Sequence, residues 1–560
     1  MNLRWRGYAA LAGLLAGCAT VPEAPPVEIS LFALNDFHGY IQASRPLPAR
    51  LSLPDPAQPG QTRRVDAGGA AHIASALAEL GAAAPNHLLI GAGDLIGASP
   101  SQSALLRDEP AILVLNRLGM SVSSIGNHEL DRGQAALLER ATGQCGAQGC
   151  ATQTFDGARF DYLAANVLSA DTGQPWLKPY VLRELAGQRI AFVGAVTRTL
   201  PAMIPASALA GLQVEDEAIA INRVVPEIRA QGIETIIALI HEGAEYAGPL
   251  NVPDDRCEGL SGPIVDIVNR LDPAVDAVFS AHTHQGYACR INGRLVLQGR
   301  NYGTAIAELR LKVSPRSHDV IASAATIHLV DQARYPADPA MAAYVAELES
   351  LTAAIRGEVL TELPQGLPRQ PTDGFTDSPF GTVVADAQLA AARRLGPVDI
   401  AFTNAGGVRT DLPAQGSDTA VQITHSDAFA AQPFGNHIVV MSLRGEHLLQ
   451  ALQQQFRDEL AQPLFLHSAS GLSYRWRASA DPTQRLVDVK LAGEAIVPTR
   501  VYRVAVNNFL ADGGDGYTAF THGEARSDAG GDLEALKRYL SEQGQTLSAR
   551  SSGRIRPQQD

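Results

Sequence analysis

The stretch SIGNHELD, Ser124 to Asp131, decides how this chain is read. It ends the apolar run AILVLNRLGMSVSS (residues 111–124) and falls where a strand should be turning. Gly126 is the hinge of that turn. Asn127, His128, Glu129 and Asp131 then bring an amide, an imidazole and two carboxylates within five positions. A solvated turn can carry such residues. So can a metal site with its proton donor alongside.

Working outward, other apolar runs end in the same kind of residue. LFALNDFHG (31–39) ends in Asp36 and His38, and LLIGAGDLIG (88–97) holds Asp94. TIIALIHEG (235–243) ends in His241, and AVFSAHTH (277–284) in His282 and His284. With His128, that places five of the fourteen histidines behind apolar runs, which chance explains poorly. Strand candidates such as EISLFAL, HLLIGAG, RIAFVGAV, TIIALI and DAVFSA alternate with amphipathic helical patterns up to about residue 330. That alternation predicts an α/β domain. Ligands of such sheets bind at the carboxyl ends of the strands, so these residues are expected to share one rim. Extended residues two apart face one side, so Asp36 with His38, and His282 with His284, are expected to chelate as pairs.

Residues 338–360 read as one long helix between domains. Beyond it, helical and sheet-like runs alternate to a closing helix, DLEALKRYLSEQG. This half carries NAGGVRTDLP (404–413), AQPFGN (431–436) and NNFLADGGDGY (507–517). Gly406 and Gly407 allow a tight turn before Arg409, whose fork of donors suits phosphate. Phe434 and Phe509 sit in polar, glycine-containing loops, where two rings can stack on a flat base. Asp515 offers acceptors for ribose hydroxyls.

The 560 residues exceed a single core and imply two domains or more. A net charge of −13 disfavours binding to nucleic acid polymers. The N-terminus, with Arg4, Arg6 and a short apolar run ending in LAGC, resembles a bacterial lipoprotein signal, and implies that Cys18 is acylated as the first mature residue. Ala19 after it points to the outer membrane. The alternative is a plain secretion signal. Four cysteines remain, an even number that suits disulfides in an exported protein. Cys145 and Cys150 flank a glycine-rich loop able to close locally, which leaves Cys257 with Cys289. A four-cysteine zinc site fits the spacing poorly.

Taken together, NDFHG, GAGDLIGASP, GNHELDRG, ALIHEG and SAHTH resemble the calcineurin-like metallophosphoesterases. More closely, they resemble the bacterial 5'-nucleotidase and UDP-sugar hydrolase family, in matching order over nearly all the mature chain. The resemblance implies a four-layer α/β/β/α sandwich plus a C-terminal α/β substrate domain. Asp36, His38 and His284 would hold one divalent ion, and Asn127, His241 and His282 another, with Asp94 bridging them. The mixed imidazole and oxygen donors suit Zn²⁺ or Mn²⁺. His128 would protonate the leaving group, oriented by Asp131, and Glu129 is read as structural. Asn404, Arg409, Phe434, Asn436, Phe509 and Asp515 would hold the nucleotide. Where relatives have further phosphate-binding arginines before the helix near Gly381, this chain offers only Arg369.

The expected parts are a signal over 1–18, a tether over 19–27, a dimetal phosphoesterase domain over 28–330, a linker helix or hinge over 331–360 and a nucleotide-binding domain over 361–560. The expected reaction is hydrolysis of nucleoside 5'-monophosphates by a lipid-anchored monomer that faces the periplasm or the cell surface. The alternatives are a 2',3'-cyclic nucleotide phosphodiesterase with 3'-nucleotidase activity, a UDP-sugar or dinucleotide pyrophosphohydrolase, and a non-catalytic nucleotide-binding lipoprotein. The two phenylalanines and GGDGY argue against a branch of the fold that cleaves thiosulfate esters.

Overall fold

The computed structural model describes residues 24–42, 50–54, 61–146, 149–153, 155–252, 256–457, 463–477, 481 and 484–558. Cys18, the signal and most of the tether lie outside the described residues. None of the described helices is long and apolar enough to cross a membrane.

In the strand Val27–Leu34 the alternation of side chains serves two cores at once. Ile29, Leu31 and Ala33 face a second sheet, while Phe32 and Leu34 pack toward helices. Thr235–His241 behaves likewise and is buried along its whole length: Ile237 and Leu239 point between the sheets, Ile236, Ala238 and Ile240 toward the opposite helical layer. The result is two six-stranded sheets face to face with helices outside each. One sheet runs Val320–Leu329, Ala305–Val313, Val27–Leu34, His87–Ala92, Met120–Ser124, Asp161–Leu163. The other runs Gly286–Ile291, Arg294–Gly299, Ala277–Ser280, Thr235–His241, Gln188–Val196, Tyr180–Leu185. The helices Ala70–Ala83 and Glu109–Leu118 contribute to the core outside the first sheet, Glu217–Ala230 and Pro263–Arg270 to the core outside the second. This is the expected α/β/β/α sandwich. In both sheets the central strands are parallel, so the ends at Leu34, Ala92 and Ser124, and those at His241 and Ser280, each share a rim.

The C-terminal half is built on a mixed five-stranded sheet, His467–Ser468, Ile400–Thr403, Val501–Asn507, His437–Arg444, Glu524–Gly531, with the helices Pro379–Arg393 and Asp532–Gln543.

The run 111–124 is helical to Leu118, stops at Gly119 (φ 84°) and becomes strand from Met120, so a strand does end before Gly126. Two local expectations are corrected. The long helix over 338–360 is two, Pro339–Ser350 and Ala353–Arg356, followed by the strand Val359–Leu363. The hydroxyls of Ser350 and Thr352 bond to the carbonyls of Glu347 and Glu349, competing with the helix ladder where it breaks. The sheet-like run YRVAVNNFL ends as strand at Asn507, whose side chain accepts from Leu510 N–H and caps the short helix Asn508–Ala511. The disulfides are Cys145–Cys150 and Cys257–Cys289.

Candidate active site

Each candidate metal ligand except Asn127 and His241 stands in the left-handed backbone region: Asp36 (φ 48°), His38 (47°), Asp94 (51°), His282 (73°) and His284 (59°). For residues with a side chain this costs on the order of 1–3 kcal/mol each and persists only where neighbours enforce it. The loops do so by interlocking. Asp36 N–H donates to the Gly93 carbonyl (3.1 Å), His38 N–H to that of Asp94 (2.9 Å), and Tyr302 N–H to that of Asp36 (2.7 Å). The expectation of extended chelating pairs is therefore wrong in its geometry. Asp36 and His38 still share a cluster, but His282 and His284 turn to different ones.

Donor atoms of Asp36, His38 and His284 lie within 4.8 Å of one another, and so do those of Asp94, His241 and His282. Asp94 joins the groups: its Oδ2 is 3.1 Å from His241 Nε2 and 3.6 Å from His38 Nε2. Asn127 Oδ1 lies 3.2 Å from His241 Nε2. His38 Nε2 and His284 Nε2 are 3.3 Å apart, close to the ~3.3 Å edge of a tetrahedron whose Zn–N bonds are about 2.0 Å. The Nδ1 atoms of His38 and His241 sit 2.8 Å from the carbonyls of Gly97 and Ala92, which fixes the tautomer and frees each Nε2 as a donor.

Electrostatics fit the same group. Burial pushes the His38 imidazole down to about 3 and that of His282 to about 4, so both are neutral donors. Burial, with Asp94 adding to it, pushes the Asp36 carboxyl up to about 7, a state that a cation would relieve. Asp94 and His241 answer each other as an ion pair, and a cation bound between them would take the place of the proton.

His128 Nδ1 is 2.8 Å from Asp131 Oδ2, leaving Nε2 free. Burial alone would lower the imidazole pKa; the carboxylates of Asp131 and Asp94 outweigh it and raise the value. Asp131 is itself held by the backbone N–H of Ala98, at 3.0 Å. Glu129, read as structural, is a brace at the centre: its buried carboxylate accepts from the N–H groups of Asp94 (2.9 Å), Leu95 (2.8 Å) and Gly126 (2.6 Å). Gly126 is needed for space. A Cβ there would fall 2.2 Å from Asp94 Oδ1 and 2.6 Å from His241 Cε1.

A cavity of about 200 Å³ opens beside this cluster, between the two halves. Asn127, His128 and His282 line it from one side, and Asn404, Arg409, Phe434, Asn436, Phe509 and Asp515 from the other. Phe434 and Phe509 are half-buried. The GGDG turn packs on Phe509, since a Cβ at Gly514 would meet its ring at 2.5 Å. One oxygen of Asp515 is already engaged by Asn404 Nδ2 at 2.8 Å, and Asn507 Nδ2 bonds to Asn404 Oδ1 at 3.0 Å. Among the described residues no carboxylate pairs with the Arg409 guanidinium.

Arg369 is apart from the other six. It lines a neighbouring cavity of about 230 Å³ with Tyr40, Ser99, His284, Tyr302 and Arg409, and donates to the Arg409 carbonyl at 3.3 Å. Sequence reasoning missed Asn35, whose amide bonds to Asp36 Oδ2 at 2.7 Å, and Asn301, whose amide is 2.8 Å from His284 Nδ1. Asn35 precedes Asp36 in NDFHG, and Asn301 lies in the polar turn GRNYG behind an apolar strand, the same signal that marked the ligands.

Residues 358–522 match the model of the 5'-nucleotidase C-terminal domain. The chain is 30% identical over 535 residues to endonuclease YhcR of Bacillus subtilis, covering 95% of this chain but only 41% of that protein's length. It is 26% identical over 628 residues to the probable 5'-nucleotidase of Treponema pallidum, covering 95% of each. Its fold is similar to the crystal structure of a 5'-nucleotidase precursor from Thermus thermophilus, with a TM-score of 0.73 and 24% identity over 95% of this chain and 100% of that one. A sandwich that ends its strands in seven metal-type donors, followed by a region that matches the 5'-nucleotidase C-terminal domain, gives the chain the fold of the 5'-nucleotidases it resembles and supports a relationship to that family.

Proposed function

We propose that this chain hydrolyses nucleoside 5'-monophosphates to nucleoside and phosphate. The observation that carries the reading is the junction of two sites: the His128–Asp131 pair lines the same cavity as Phe434, Phe509 and Arg409. Asp36, His38 and His284, Asn127, His241 and His282, and the shared Asp94 would hold two divalent cations, Zn²⁺ or Mn²⁺. When bound, such a pair neutralises phosphate oxygens and supplies hydroxide at neutral pH. His128 then hands its proton to the departing 5'-oxygen, with Asp131 held to its Nδ1. Arg409 donates to the phosphate, and Phe434 and Phe509 stack on the base.

The test is phosphate release from AMP by metal-loaded protein, with and without chelator, beside a panel of 2',3'-cyclic AMP and UDP-glucose. Tight AMP binding without release would favour a nucleotide-binding protein instead. A second reading, hydrolysis of diphosphate-linked substrates, is favoured by the cavity on the His284 side. Arg369 and Arg409 border it, and the Tyr40 and Tyr302 rings stack there at 4.0 Å, a setting suited to a second phosphoryl group and the ring beyond it. Faster turnover of UDP-glucose than of AMP would decide for that reading.

For location we propose a lipoprotein of the outer membrane acylated at Cys18. LAGC at the end of a short apolar run supports this, as does the presence of two disulfides. Loss of radiolabelled palmitate incorporation in Cys18→Ala is the expected result.

A further inference from the structure

We infer that Phe434 is a positioning residue for the proton donor, so that His128 is aligned only when the C-terminal half is docked. The inference rests on the nucleotidase reading but gives Phe434 a task beyond stacking on the base. The imidazole of His128 is tied at one atom, Nδ1, to Asp131. It meets the His38 ring edge-on at 5.0 Å. A ring tied at one atom can still rock about that tie. The Phe434 ring lies nearly parallel to it, with 14° between planes and centroids 5.9 Å apart, an offset stack that fixes the plane of the imidazole. Phe434 belongs to the C-terminal half, while His128 and Asp131 belong to the N-terminal sandwich. The stack therefore exists only when the two halves meet.

The chemistry gives the contact a purpose. The guanidinium of Arg409 lies over the same ring, 5.6 Å from its centroid. Phe434 thus links the side chain facing the phosphate to the one facing the leaving oxygen. Among the described residues no ring contact joins Phe434 to Phe509, so the clamp stays open for a base while the His128 contact is already made. A donor that is out of line until the substrate-bearing half has closed would not spend its proton on water.

The test compares Phe434→Leu with Phe434→Trp on AMP, whose leaving alkoxide needs a proton, and on 4-nitrophenyl phosphate, whose leaving group departs without one. In Phe434→Leu, saturating kcat on AMP is expected to fall about tenfold further than kcat on 4-nitrophenyl phosphate. Phe434→Trp, which keeps an aromatic plane, is expected to restore most of the AMP rate. A higher KM for AMP with unchanged kcat would overturn the inference, leaving Phe434 as a base clamp only. An equal fall on both substrates would overturn it too, pointing to a displaced Arg409 or a domain that no longer docks. Unchanged ion content and melting in both variants guard against misfolding. A wild-type enzyme that cleaves 4-nitrophenyl phosphate but not AMP defeats the nucleotidase reading, and this inference with it.

Discussion

Asp94 Oδ2 stands 3.1 Å from His241 Nε2, across the gap between the two sheets of the N-terminal half. The same oxygen is the one turned toward His38, while Oδ1 accepts the His128 backbone N–H at 2.9 Å. One carboxylate thus spans both donor groups and anchors the loop of the proton donor. Asp94→Asn is expected to leave at most one ion per chain after dialysis, against two in the wild type. Its kcat on AMP should fall by more than about 100-fold, beyond what loss of an outer contact to a metal site costs. Elemental analysis and steady-state kinetics on the same samples check both.

Removing the donor should leave the ions in place: although a ring nitrogen of His128 lies within 4.8 Å of donor atoms of His38 and Asp94, its Nδ1 is taken by Asp131 and both ion sites keep their own ligands. His128→Ala is expected to lower kcat on AMP by about 10²–10⁴-fold with ion content unchanged. Asp131→Asn keeps a hydrogen-bond partner but not the charge, so the expected loss is smaller, about tenfold. If His128→Ala lost ions along with activity, its assignment as a proton donor would fail.

Much of this was legible in the sequence, for a physical reason. Strand ends such as LFALND and TIIALIH announce themselves, since buried parallel strands are apolar runs and the ligands come where the runs stop. What could not be read was the backbone beyond those ends. DFH and HTH look like extended pairs, yet φ is positive at Asp36, His38, His282 and His284. That conformation is imposed by partners such as Gly93 and Tyr302, distant in the chain. Glu129 was read as structural, but what it braces could not be seen, for the same reason. Four N–H groups from two loops, those of Asp94, Leu95, Ile96 and Gly126, meet its carboxylate, and no local pattern marks that. The helix break after Ser350 was hidden by continuous helical composition. Arg369, the one candidate offered before the helix near Gly381, stands with Arg409 and His284 around the adjoining cavity, a placement that no pattern local to its segment announces.

Two glycines separate space from backbone freedom. Gly119 ends a helix at φ 84° with nothing within 4 Å of an added Cβ, so Gly119→Ala should cost about 1–2 kcal/mol in stability and nothing in ion binding. An alanine methyl at Gly126 would collide with Asp94 and His241. Gly126→Ala is therefore expected to lose ions and activity, with about 1–3 kcal/mol of stability from overpacking. Thermal melts paired with ion analysis distinguish the two variants, and equal ion content in both would contradict the packing argument.

Stability should also depend on pH through Asp532, at the start of the helix Asp532–Gln543 and next to the cleft, where its N–H donates to the Asn436 carbonyl at 2.9 Å. Burial pushes this carboxyl up to about 7, although the Leu533 N–H and the Asn436 side chain pull the other way. An unfolded aspartate titrates near 3.9. Between about pH 4 and pH 7 the folded chain thus holds a proton that the unfolded chain has lost, and stability falls as pH rises through that window. Below it the group costs nothing; above it the whole penalty, on the order of 4 kcal/mol at most, is in force. Asp532→Asn cannot ionise and keeps an acceptor for Leu533. It should match the wild type near pH 4 and exceed it at pH 8, so that urea midpoints of the two chains diverge with rising pH. Parallel curves would mean that Asp532 is ionised in the folded protein and is satisfied by Asn436 and Gln432, whose Nε2 lies 3.4 Å from Oδ2.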